Sequence, residues 1–128
     1  MSLTERQHTG EFILAEFDPQ VTREKVTVTA PAATRLQDGH VLAVLSATGK
    51  YVEYDNAGSD GSESAAAILY GEVDNTDGDA PADFEAVVLR RGPAAVRKGD
   101  LQWNSGVDAS GKTAAYADLA ALYIIARD

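Results

Sequence analysis

Val41-Leu42-Ala43-Val44-Leu45-Ser46-Ala47-Thr48-Gly49-Lys50-Tyr51-Val52-Glu53-Tyr54 holds two β-type runs on either side of a turn. Val41 to Leu45 is short and apolar throughout, the pattern of a strand buried on both faces. Thr48-Gly49 is a turn signal, and Lys50 to Tyr54 alternates with aromatic and β-branched residues, so residues 41–54 read as a hairpin. The same grammar continues outward. Lys25-Val26-Thr27-Val28-Thr29 alternates as a strand with one wet face and ends at Ala30-Pro31. Ala67-Ile68-Leu69-Tyr70 and Phe84 to Arg90 read as further strands, with Gly92-Pro93 breaking the second before Ala94-Ala95-Val96. Polar loops, Asp55 to Ser64 and Asp74 to Asp83, lie before them. Thr113 to Ala121 is the one helix expected, with Tyr116, Leu119 and Ala120 on one face, and Leu122-Tyr123-Ile124-Ile125 follows as a closing strand. The predicted fold class is therefore mostly β: a compact barrel or clip of short strands with one short C-terminal helix, without βαβ units.

The 128 residues set the size of one domain. Eleven Lys and Arg stand against 20 Asp and Glu, a net charge of −9. Nucleic-acid affinity needs clustered cations, and the densest group, Arg90-Arg91 with Arg97-Lys98, is short and interrupted, so nucleic acid is not an expected partner. No apolar run approaches the roughly 20 residues that span a bilayer as a helix, and no membrane partner is expected. With no cysteine there is no disulfide and no thiolate metal site.

Residues 1–17 are expected to form a flexible N-terminal arm, and 18–128 a single β-rich domain. Within the arm, Gly10-Glu11-Phe12-Ile13-Leu14-Ala15-Glu16-Phe17 brings an abrupt apolar patch, closed by Asp18-Pro19. It has two readings: the first strand of the core, or a strand held for the sheet edge of a partner. By simple alternation Phe12 and Leu14 point one way and Ile13 the other.

Gly106-Val107-Asp108-Ala109-Ser110-Gly111-Lys112-Thr113 matches the phosphate-loop pattern at every required position. Its context does not fit. A nucleotide-binding α/β domain needs parallel strands with helical crossovers, and this loop sits fifteen residues from the C-terminal end of the sequence. It reads as a polar loop entering the first turn of a helix. His8 and His40 lack metal-ligand spacing and are expected at the surface. In Asp74 to Asp79 and Asp55 to Gly61 the glycine falls at the wrong position for a calcium loop, so both read as solvated turns and no metal is expected. Trp103, the one tryptophan, is expected as a core anchor.

Taken in order, several segments resemble the head decoration proteins of lambda-type bacteriophages. They are His8 to Glu16, Thr22-Arg23-Glu24 with Val26 to Thr29, Asp38 to Leu42, Thr48 to Tyr51 with Tyr54-Asp55, Asp60-Gly61-Ser62 ahead of Ala67-Ile68-Leu69, Gly99 to Trp103, and Leu122 to Arg127. The resemblance spans residues 8–127. It implies a β-clip or β-tulip-like subunit with no catalysis and no cofactor. Such subunits form homotrimers on the outer surface of an expanded phage head, brace it, and assemble in the cytoplasm of the bacterial host. It further implies that the partner is the phage major capsid protein, engaged by an N-terminal strand. Here that role falls on Gly10, Glu11, Phe12, Ile13, Leu14, Ala15, Glu16 and Phe17. The competing expectation is a prophage or bacterial β-domain that binds another protein or a glycan through the same strand.

Overall fold

A computed structural model describes residues 9–128. Its centre is a closed five-stranded barrel built from β2 (Arg23–Ala30), β5 (Tyr51–Glu53), β4 (Val41–Val44), β6 (Ala65–Tyr70) and β8 (Ala82–Leu89), in that order around the barrel. The longest ladder is antiparallel, β2 on β8, running from Arg23↔Leu89 to Ala30↔Ala82. β4 and β5 form the expected hairpin, with Leu42↔Glu53 and Val44↔Tyr51 in register. Ten strands in three sheets, with a one-turn helix α1 (Pro19–Thr22) and a twelve-residue helix α2 (Ala109–Ala120), make the described chain mostly β.

Two elements outside the barrel matter for function. β1 (Ile13–Glu16), β9 (Ala94–Arg97) and β10 (Ile124–Arg127) form a separate sheet in the order β1-β9-β10. β9 runs antiparallel to β1 and parallel to β10. β3 (Thr34–Leu36) and β7 (Val73–Asn75) form a small ribbon, so the front of the Asp74 to Asp83 loop is a strand. Asn75 explains that ribbon: its buried amide donates to the carbonyls of Ala30, Pro31 and Ala80 and ties the loop to the far end of β2.

The core has two parts. One fills the barrel with Val28, Leu36, Leu42, Ala67, Leu69 and Val88. The other lies between the barrel, α2 and the three-stranded sheet, and contains Phe12, Ile68, Leu89, Val96, Leu119 and Ile124. The helix starts four residues before the predicted Thr113, because Asp108 caps it and accepts from the Gly111 amide at 2.8 Å. Its inward stripe is Gly111, Ala115 and Leu119, with Tyr116 packed at the margin and Ala120 exposed. Ala120 belongs to the next position around the helix, so including it in the buried face is corrected. The closing strand begins at Ile124, two residues later than predicted, because Leu122 and Tyr123 complete a turn by donating to Leu119 and Ala120.

Candidate functional site

In this structure the apolar patch near the N-terminal end forms the strand β1 against the subunit's own body. His8 and the preceding residues of the expected arm lie outside the described residues. Phe12 is fully buried, and its carbonyl accepts from the Arg97 amide at 2.8 Å. At the other end the Phe17 amide donates to Pro93 at 3.0 Å. Between these bonds the register slips, with Ile13 opposite Val96 but Ala15 opposite Ala95.

That bulge changes which side chains face outward. Simple alternation puts Phe12 and Leu14 together. Instead Phe12 and Ile13 both pack on the inner cluster, while Leu14 is 42% exposed and Phe17 72% exposed. An extra residue inserted in one strand resets the alternation beyond it, and nothing in the local pattern signals its position.

Two contacts fix the strand to the barrel. Asp38, buried beside the turn into β4, accepts from the Gly10 amide with both carboxylate oxygens at 3.0 Å and from the Gly71 amide at 2.7 Å. Burial pushes its carboxyl above the ordinary aspartate value, against the pull of these backbone donors. At the far end Glu16 pairs with Arg23, whose guanidinium lies 3.9 Å above the Tyr70 ring, and accepts from the Thr22 hydroxyl at 2.7 Å. The Arg23 guanidinium is held above its ordinary value chiefly by the Glu16 hydrogen bond.

The outer face of this sheet is a trough. Ala15, Ala95 and Ile125 stand in one cross-strand row, and the two alanines leave a low floor. Phe17, Tyr123, Pro93 and Ile125 wall a space of about 490 Å³. Tyr123 is 70% exposed and Ile125 48% exposed. Tyr123 and Ile125 lay in a legible strand segment, but their place across β9 from β1 depends on the β10–β9 pairing, which no local pattern announces.

The phosphate-loop match is occupied by the chain's own groups. The helix N-terminus, where a phosphate would sit, receives the Asp108 carboxylate, held below its ordinary value first by the Gly111 amide. Lys112 turns over the Trp103 ring, 5.6 Å from its centre, and the Thr113 hydroxyl donates to the Ala109 carbonyl. Gly111 is needed for packing, since a β-carbon there would come within 2.6 Å of the Asn56 side chain. Trp103 is only half-buried, edge-on to both Tyr54 and Tyr116. His40 is buried, not at the surface as expected, with Nε2 3.0 Å from a Glu53 carboxylate oxygen. An isolated parallel bridge pairs His40 with Gln102. In the two acidic loops Asp55, Asp60 and Asp74 bend their carboxylates back onto the amides of Ala57, Ser62 and Thr76.

No curated protein matches the chain at a significant level. The profile of one protein family does match, over residues 2–124, and that family is described as bacteriophage lambda head decoration protein D. A match across nearly the whole length, on a mostly β body with a pinned edge strand, shows that the chain belongs to the bacteriophage lambda head decoration protein D family.

Proposed function

We propose that this chain is a structural cement protein of a phage capsid: it binds as a homotrimer to the outside of the expanded head and holds the shell together, without catalysis. Family membership supports the capsid decoration role. The observation that carries the contact is β1, which among the described residues is an edge strand with β9 alone as its ladder partner. An edge strand offers a row of backbone donors and acceptors to an incoming strand, and its alternate side chains select the partner. In this reading Gly10 to Phe17 is the capsid-binding segment, with Phe12 anchoring it to the subunit and Leu14 and Phe17 directed to the major capsid protein. Three such strands on one trimer add their affinities through the shared scaffold. The net charge of −9 suits a subunit outside the shell, away from DNA.

The test is saturable binding of the purified protein to expanded, undecorated heads, set beside sedimentation of the free protein. A trimer that saturates expanded heads and ignores unexpanded ones is the expected result. A monomer with no affinity for any shell overturns the reading.

A further inference from the structure

We propose that the outer face of the β1–β9–β10 sheet, and not the β1 edge alone, docks on the shell, through an apolar side chain seated on the Ala15–Ala95–Ile125 row and a carboxylate held by Arg97 and Arg127. This rests on the decoration reading above, and it adds the C-terminal strand to the contact.

The geometry begins with the period of two along a strand. Ala95 and Arg97 share one face of β9, and Ile125 and Arg127 share the same face of β10. The register sets Ile125 beside Ala95 and Arg127 beside Arg97. The exposed face therefore reads, along its length, as an apolar trough followed by two adjacent guanidinium groups. Like charges directly opposite on a ladder repel. Arg97 reaches Asp100 only at 3.5 Å, and Arg127 has no ion-pair partner among the described residues. A pair of this kind beside an apolar trough matches a segment that carries an apolar side chain and, next to it, an Asp or Glu.

The position of the most acidic loop agrees with the same orientation. From Tyr51 to Leu89 the chain has ten Asp and Glu and no Lys or Arg; the remainder has eleven Lys and Arg against ten acids. The Asp74 to Asp83 loop is tied to the Ala30 end of the β2–β8 ladder. The docking sheet joins the opposite end, where Arg23 meets Glu16 and the Arg90 amide donates to Thr22. Eight paired residues separate the ends by about 24 Å. The acids of that loop thus lie at the end of the ladder away from the trough. The trough is also continuous with β1, since Ala15 and Glu16 of that strand line it.

The experiment uses the full chain and undecorated expanded heads assembled from the coat protein of the same phage. Ile125→Ser and Arg127→Glu alter exposed side chains; circular dichroism and sedimentation check that fold and assembly persist. Each variant is expected to bind heads at least about tenfold more weakly than the unaltered protein, with Arg127→Glu also removing most of the salt dependence. Asp77→Asn with Asp79→Asn, at the opposite pole, is expected to bind as the unaltered protein does. Unchanged head binding by both Ile125→Ser and Arg127→Glu overturns the proposal and leaves the decoration reading intact. Loss of self-association in either variant also overturns it, because the face then belongs to a second copy of this chain. Failure of the unaltered protein to bind heads overturns the decoration reading itself.

Discussion

Asp38 grips the amide of Gly10 with both carboxylate oxygens, each at 3.0 Å, across 28 residues of sequence. The bond sits two residues before the buried Phe12, so it sets where the N-terminal strand enters the body.

Replacing Asp38 by Ala leaves the Gly10 and Gly71 amides without their acceptor. The expected cost is about 1–3 kcal/mol of stability, read from urea denaturation. Gly10 and its neighbours should also gain hydrogen-exchange rate more than the barrel strands do.

The pH dependence of Asp38 has a definite sign. Its folded value is raised above 3.8 by burial, so the native state binds the proton more tightly than the unfolded chain. Its contribution is therefore full below the unfolded value and declines as pH rises through the folded one. Asp60, Asp83 and Asp108 are lowered by their hydrogen bonds and act oppositely, adding stability above 3.8 that is lost as pH falls through their folded values. Carboxyl NMR titration should show Asp38 titrating after these three on the way up. Asp38→Asn should remove the declining component from the stability–pH curve; an unaltered curve would sink the assignment.

Phe12 and Phe17, five residues apart, should separate stability from binding. Phe12→Ala is expected to cost about 3–5 kcal/mol, since it empties a fully buried site. Phe17→Ser is expected to change stability by no more than about 0.5 kcal/mol, while weakening attachment to expanded heads. Thermal melts and head-binding assays, run on the same samples, check both halves.

The phosphate-loop match should prove silent. Calorimetry of the protein with ATP and magnesium is expected to show no binding heat, and Lys112→Ala should leave fold and assembly unchanged. Gly111→Ala, by contrast, should lower the melting temperature, because its β-carbon meets the Asn56 side chain and one of the two must shift.

Tyr54→Phe tests how α2 is tied to the barrel. The buried Tyr54 hydroxyl donates to the Gly111 carbonyl at 2.8 Å, and its removal should cost about 1 kcal/mol in chemical denaturation.

The residues themselves determined the β class, the 41–54 hairpin, the strands at Lys25, Ala67 and Phe84, and the late helix. Each is specified by near neighbours: alternation, turn residues and helical spacing act over a few positions, so they can be read in order along the chain. Family resemblance was also legible, because it lies in the succession of these segments. The tertiary structure alone decided what the Glu11 to Phe17 patch does in the subunit. A bulge against β9 sends Phe12 and Ile13 inward and Leu14 outward. Likewise, only the parallel pairing of β10 with β9 brings Ile125 beside Ala95 and Arg127 beside Arg97. These relationships join residues up to about eighty positions apart, and their energies come from packing and ladder register, which no short stretch of sequence contains.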